Sequence, residues 1–137
     1  LKEISKKYNL PIIMFDHKAW VFKGNYFRGL KVSDSTTPNC YLSLIKNAEM
    51  VITTSFHGTI FSTIYRKNFW SITFKDTNPD DDRINTLLEQ LGLEDRKLFF
   101  EDAHSINMLS DVNYESYDKR INQLRKCGFD FLDTAFK

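Results

Sequence analysis

The sequence has no long hydrophobic run and no excess of charge of either sign. In 137 residues, no apolar stretch approaches the roughly 20 residues that a transmembrane helix needs, and no stretch has the features of a signal peptide. The 19 Lys and Arg residues nearly balance the 18 Asp and Glu residues, which argues against a nucleic-acid-binding or membrane-adhering surface. We therefore expect a cytoplasmic protein with no nucleic-acid partner and no membrane span; peripheral attachment at the inner face of the membrane is the alternative.

The sequence is also poor in residues that commonly bind metals. Its two cysteines, Cys40 and Cys127, lie far apart, and the histidines at 17, 57 and 104 match no metal-ligand spacing. We predict no bound metal and no cofactor. Both cysteines are interpreted as reduced thiols that act as small packing residues, as is usual in a cytoplasmic protein.

Apolar and aromatic residues, in contrast, are abundant. Hydrophobic residues make up 42% of the chain and aromatic residues 15%, which is enough to bury a sizeable core, and the length corresponds to about one domain. The chain begins with Leu1, inside a helical pattern, rather than with a methionine. We therefore expect residues 1–137 to form a single domain that is a piece of a longer protein.

Hydrophobic periodicity predicts strands that alternate with single helices. Short apolar runs indicate buried strands at 11–15, 50–54, 69–74 and 97–100. Apolar residues at helical spacing predict helices at 1–8, 35–48, 56–67, 79–93 and 114–136, the last of them bent or divided at Gly128. This alternation is typical of an α/β, Rossmann-like fold with a mostly parallel sheet and helices on both faces.

Residues at the helix ends support these boundaries. Asn9 and Gly92 follow helical segments and are the expected stops. Thr37 can cap the second helix, and Pro38 suits its first position. The last helix carries an apolar pattern through four residues, Tyr117, Ile121, Leu124 and Phe131.

The stretch VITTSFHGTIFS, residues 51–62, places polar side chains between a buried strand and a helix. In proteins with a parallel sheet, ligands bind beyond the carboxyl ends of the strands, which is where this stretch lies. The unpaired N–H groups at the start of a helix also attract anions. Thr54, Ser55 and Thr59 offer hydroxyl groups there, Ser55 as a natural cap, and Gly58 allows a close approach. A single histidine near a helix start is structural about as often as catalytic, so these residues alone leave both roles open for His57.

Two segments of this region together resemble one known family. NAEMVITTSFHGTIFSTIYRKNFWSI, followed by DDRINTLLEQLGL, is similar to the C-terminal half of the polysaccharide pyruvyl transferase family, over about Thr37 to Leu93. Members of that family resemble GT-B glycosyltransferases, in which two Rossmann-like domains face each other across a cleft. The resemblance implies that this chain is one half of a GT-B-like bacterial enzyme, and that its partner is the missing N-terminal domain of the same protein.

The resemblance also implies a reaction and a set of site residues. Family members transfer a pyruvyl group from phosphoenolpyruvate, the donor substrate, to two hydroxyls of a sugar, forming a cyclic ketal on a cell-surface polysaccharide in exopolysaccharide biosynthesis. His57 matches the motif histidine, and we assign it the role of acid or phosphate contact. Thr54, Ser55, Gly58 and Thr59 would contact the substrate through N–H and hydroxyl groups.

The chain departs from the family pattern at one position. Many relatives carry an arginine two residues before the histidine, suited to holding a carboxylate, whereas this chain has Ser55. Arg83 is the best substitute, because it opens the helix after the next strand and so faces the same sheet edge. The alternative is that Arg83 pairs with Asp80 or Asp82 in its own helical turn.

Other functions and other residues remain open at this point. A GT-B glycosyltransferase using a nucleotide sugar would have the same fold, as would a non-catalytic glycan-binding or partner-binding domain. Ser35, Thr36 and Thr37 open another helix at the same predicted edge and are candidates for a second phosphate or a sugar. Trp20 and Tyr26, near predicted loops, are candidates for stacking on a sugar ring.

Overall fold

The computed structural model describes residues 2–16, 21–22, 29–74, 83–103, 107–108 and 110–136. It is an α/β structure in which every strand pairing among these residues is parallel, as the sequence predicted. The chain divides into two compact units, Leu1–Leu44 and Ile45–Lys137, here called the N-terminal and the C-terminal unit. The prediction that the whole chain is one domain of a larger enzyme stays a prediction.

The N-terminal unit contains a helix and a short parallel sheet. Helix α1, Lys2–Tyr8, ends where predicted, since Asn9 adopts a left-handed conformation with φ of 53°. Strand β1, Ile13–Met14, pairs in parallel with β2, Lys31–Val32. Strand β2 was missed, because two residues of strand leave no readable alternation in the sequence.

Helix α2, Pro38–Asn47, starts as its sequence predicts. The Thr37 hydroxyl oxygen accepts a hydrogen bond from the Cys40 amide at 3.3 Å, and Pro38 occupies the first helical position. Tyr41 extends its ring to Phe15, with centroids 4.8 Å apart. The C-terminal unit begins in the last part of this helix, where Ile45 is buried.

The C-terminal unit contains a three-stranded parallel sheet in the order β3-β4-β5. The strands are Met50–Thr53, Asn68–Thr73 and Lys97–Phe99. Helix α3, Phe56–Ile64, connects β3 to β4, and helix α4, Arg83–Leu91, lies between β4 and β5. These are two successive strand–helix–strand units, so the predicted Rossmann-like organisation is confirmed.

The core of this unit forms on the central strand. Phe69 of β4 is fully buried and packs against α4 and against helix α5, Tyr114–Ala135. Because successive side chains of a strand point to opposite faces, Phe69 and Ser71 share the helix-covered face. The core cluster consists of Phe69, Leu88, Leu91, Leu93 and Tyr117.

Gly92 allows α4 and α5 to approach closely. It ends α4 with φ of 69°, as the sequence predicted. A Cβ atom at this position would lie 2.6 Å from Ser116 Oγ and 2.8 Å from Arg120 Nε. Any side chain at Gly92 would therefore strain the backbone and force the side chains of Ser116 and Arg120 to move.

The opposite face of β4 is covered by the segment that precedes α5. Trp70 is buried, as expected for a core aromatic, and its indole N–H donates to the Met108 carbonyl at 2.8 Å. Arg96 is buried with its guanidinium 4.9 Å from the Trp70 ring centroid, and it donates to the carbonyls of Ser110 and Asp111 at 2.9 and 2.8 Å. These carbonyl contacts compensate the cost of burying the charge.

Tyr114, at the start of α5, fixes the turn between α3 and β4. Its hydroxyl donates to the Lys67 carbonyl at 2.7 Å, and burial raises the pKa of the phenol above its ordinary value, so the donor stays protonated. Arg66 lies over the ring, 4.8 Å from its centroid, and forms an ion pair with Asp118 at 2.6 Å. Tyr114 and Asp118 of α5 thus fix the end of α3.

The second half of α5 differs from the sequence expectation. The helix runs unbroken through Gly128, so a division of the helix there is excluded. All side chains from 122 to 136 are exposed, including Leu124 and Phe131 of the apolar pattern. Cys127 is exposed and Cys40 half-buried, so the packing interpretation fails for Cys127. Across the described residues, no helix combines the length and apolarity needed to cross a membrane.

Two aromatic residues of α5 provide a matched test of this packing. Tyr117→Ala should lower the free energy of unfolding by about 3 kcal/mol, because it empties a fully packed site. Phe131→Ala, on the exposed half of the same helix, should change it by less than about 0.5 kcal/mol. Urea denaturation followed by circular dichroism measures both. Equal losses would contradict the exposed position of Phe131.

Candidate functional site

The carboxyl ends of the three strands of the C-terminal unit meet at one edge. Thr53 of β3 lies opposite Ser71 of β4, and Ser71 lies opposite Lys97 of β5. The chain leaves β3 through residues 54–55 and enters α3 immediately. The predicted strand–loop–helix arrangement is therefore present, in the position where parallel sheets bind ligands.

Ser55 is the N-cap of α3, as predicted. It has an extended backbone, with φ of −96° and ψ of 133°, and its Oγ accepts from the Gly58 amide at 3.4 Å. The Ser55 amide in turn donates to Thr53 Oγ1 at 3.0 Å. In the part of the chain that the structure describes, the amides of Phe56 and His57 have no acceptor. Two donors at the positive end of the helix therefore remain for a ligand.

Gly58 and Thr59 lie on the inner side of the same turn. Thr59 is fully buried, and its Oγ1 is 2.6 Å from Ser71 Oγ on the central strand. Gly58 is also buried, and its carbonyl accepts from Ser62 Oγ at 2.7 Å. This placement favours a supporting role for both residues over direct contact with a substrate, whereas Thr54 is exposed.

His57 is on the outer side of the turn and is exposed. Its ring contacts the Phe56 ring edge-on, with centroids 5.8 Å apart. Within the described residues, no hydrogen bond or ion pair holds the imidazole. Both ring nitrogens are thus accessible to a ligand that occupies the helix start.

Arg83 contacts this turn, although it lies 26 positions after His57 in the sequence. It is the first residue of α4, it is exposed, and its Cζ is 5.6 Å from the centroid of the Phe56 ring. Phe56 therefore contacts both Arg83 and His57 and links the guanidinium to the start of α3. The sequence does not reveal this contact, because helical periodicity carries no signal for contacts with another helix. The alternative partners of Arg83 in positions 80–82 lie outside the described residues.

Thr73, at the end of β4, was not recognised from the sequence. Its Oγ1 is buried and finds no hydrogen-bond partner among the described residues. Thr73 lies on the same face of β4 as Ser71, two residues closer to the carboxyl end and thus closer to the start of α3. An unpaired buried hydroxyl costs about 1–3 kcal/mol, so this group is well suited to bond a ligand.

The other predicted candidates lie in the N-terminal unit or outside the described residues. Ser35, Thr36 and Thr37 belong to the N-terminal unit, where Ser35 Oγ donates to Thr37 Oγ1 at 3.2 Å at the start of α2. The candidates Trp20 and Tyr26 lie outside the described residues, as do the histidines at 17 and 104. Among the residues that are described, no group of three or more His, Cys, Asp or Glu could hold a metal ion.

Comparison with known proteins identifies one family. The family model for polysaccharide pyruvyl transferase matches residues 2–76, which is more than half of the 137 residues. The match includes β3, the Ser55 turn, α3 and β4, and ends before Arg83 and α4. No curated protein and no solved structure matches the chain.

Two substitutions of Ser55 test its capping role. Ser55→Ala should lower the free energy of unfolding by about 1 kcal/mol, because the Gly58 amide loses its acceptor. Ser55→Asp should leave stability within about 0.5 kcal/mol of the wild type, because aspartate is an equally good N-cap. Thermal and urea unfolding measure both changes. A larger loss in Ser55→Asp than in Ser55→Ala would contradict the capping geometry.

Proposed function

Because the chain belongs to the polysaccharide pyruvyl transferase family, a family of transferases, we propose that it transfers a pyruvyl group from phosphoenolpyruvate to a sugar of a cell-surface polysaccharide. The observation that carries this proposal is the turn at Ser55, where two amide donors, an exposed imidazole and a guanidinium lie together at the carboxyl edge of a parallel sheet. These groups suit a small dianionic donor that has a carboxylate and a phosphate.

The reaction requires a defined movement of protons. Two sugar hydroxyls add to C2 of phosphoenolpyruvate, C3 gains a proton and becomes a methyl group, and the bond between C2 and the phosphate oxygen breaks. The hydroxyls release two protons, of which one balances the proton gained by C3 and the other leaves with the phosphate. The site must therefore supply an acid, stabilise an anionic leaving group and accept protons from the sugar.

His57 and the start of α3 fit the acid and phosphate roles. The amides of Phe56 and His57 would donate to phosphate oxygens, and the helix dipole favours negative charge at that point. The exposed His57 imidazole would protonate C3 or donate to the phosphate. Thr73 Oγ1 would add a third donor from the neighbouring strand.

Arg83 fits the role of the family arginine that Ser55 replaces. A guanidinium binds a carboxylate through two parallel hydrogen bonds, which gives both strength and orientation. Arg83 and His57 both contact Phe56, although the two residues belong to different helices. In this proposal the donor's carboxylate lies against Arg83 and its phosphate against the start of α3.

The proposal extends to the context of the enzyme. We place it in bacterial exopolysaccharide biosynthesis in the cytoplasm, as the C-terminal half of a GT-B-like protein whose N-terminal domain supplies the other wall of the cleft. A nucleotide-sugar glycosyltransferase is the second candidate, because a helix start also accommodates a diphosphate. A non-catalytic glycan-binding domain is the third.

Binding of the donor distinguishes these candidates. We expect phosphoenolpyruvate to bind the full-length protein in a calorimetric titration, and UDP to bind no better than inorganic phosphate. Arg83→Gln should weaken phosphoenolpyruvate binding by about 10- to 100-fold, because a charged hydrogen bond contributes about 1.5–3 kcal/mol. Arg125→Gln, which removes the same charge from the exposed half of α5, is the control and should leave binding unchanged.

Turnover separates catalysis from binding. His57→Gln should reduce phosphate release in the presence of phosphoenolpyruvate and an acceptor glycan by about 10²- to 10⁴-fold, the usual loss of a general acid. Preferential binding of UDP would instead support glycosyl transfer. Donor binding together with full activity in His57→Gln would remove His57 from the catalytic role.

A further inference from the structure

Phe74 and Phe100 form an exposed aromatic pair at the same sheet edge. Their side chains are 43% and 59% exposed, and the ring centroids lie 5.5 Å apart with the planes inclined by 35°. Each follows directly on the end of a strand, Phe74 after β4 and Phe100 after β5. Thr73 of β4 lies opposite Phe99 of β5 in the parallel register. Phe74 and Phe100 are therefore the next pair of residues after the last paired positions of these strands.

The Phe74–Phe100 pair and the turn at Ser55 lie at the same carboxyl edge of the sheet. Thr53 is in register with Ser71, so Ser55 is level with the end of β4. Neighbouring strands are about 4.8 Å apart, so β4 and β5 lie about 5 and 10 Å from the strand that leads into α3. By strand alternation the pair continues the face of Trp70, whereas α3 covers the face of Ser71. An occupant of the pair would therefore reach the helix start across the ends of the strands, over one to two strand spacings.

The chemistry of the pair indicates what it binds. Two phenylalanine rings offer apolar faces with partial negative charge and no hydrogen-bonding group. The C–H groups of a pyranose ring form an apolar face with partial positive charge, and its hydroxyl groups project from the rim. A sugar ring can therefore stack on an aromatic face while its hydroxyls reach polar groups beside it. Exposed aromatic surface at a ligand-binding edge is otherwise unfavourable to leave in water.

We propose that the Phe74–Phe100 pair is the acceptor subsite, where a sugar ring of the glycan stacks and turns two hydroxyls towards the donor at the Ser55 turn. This inference rests on the proposed function, because the donor's position fixes which hydroxyls react. The inclination of 35° allows one ring to lie flat on Phe100, the more exposed of the two, with Phe74 closing its side. Both residues are positioning residues for the acceptor.

Saturation-transfer NMR on the full-length protein tests this subsite with methyl glycosides of glucose, galactose and mannose as probes. At least one glycoside should receive saturation at its ring C–H protons. Phe100→Leu should weaken that binding by roughly tenfold, because leucine keeps the apolar character and removes the aromatic face. Phe100→Tyr, which keeps the ring, should retain it. Phe131→Leu, at an exposed phenylalanine of α5, is the matched control.

The outcomes separate this inference from the proposed function. Unchanged glycoside binding in Phe100→Leu, or no glycoside signal in the wild type, overturns the acceptor subsite, and donor binding then decides the function independently. Glycoside binding that depends on Phe100 without any phosphoenolpyruvate binding supports the subsite and overturns pyruvyl transfer. A lower melting temperature in Phe100→Leu with equal loss of donor and glycoside binding overturns the subsite in favour of contact with another domain.

Discussion

The hydrogen bond between Thr59 Oγ1 and Ser71 Oγ joins the first turn of α3 to the central strand of the sheet. Both residues are fully buried, so water cannot replace the bond. It fixes the position of the helix start, along the direction of the strands, relative to the strand ends. Because Ser55 caps the same turn, the two amides that remain unpaired, Phe56 and His57, are held at the carboxyl edge. Every proposed contact with the donor depends on that position.

Around this fixed turn, aromatic contacts bring in residues from distant parts of the sequence. Phe56 contacts His57 on one side and Arg83 on the other, so α3 and α4 contribute one group each to the same anion site. The ends of β4 and β5 contribute the Phe74–Phe100 pair at the same edge of the sheet. A sheet edge with charged donors at one point and exposed rings at the next suits two substrates of different character, an anion and a sugar.

The sequence predicted well what depends on local patterns. The strand–turn–helix at Ser55 and the helix stop at Gly92 follow from the local properties of capping hydroxyls and glycine. It failed where the answer depends on which elements pack together. The apolar pattern of α5 continues past Ile121 into exposed positions, since periodicity cannot show where packing ends. The contact of Phe56 with Arg83 and the unpaired hydroxyl of Thr73 result from tertiary packing, which leaves no local signal.

The central claim is that the start of α3 holds the phosphate of the donor. Titration of the ¹⁵N-labelled full-length protein with phosphoenolpyruvate, followed by NMR, tests it at individual atoms. The account predicts that the amides of Phe56 and His57 shift most and saturate together, and that inorganic phosphate moves the same two signals. Shifts that saturate elsewhere in the protein while these two amides stay unchanged would contradict it.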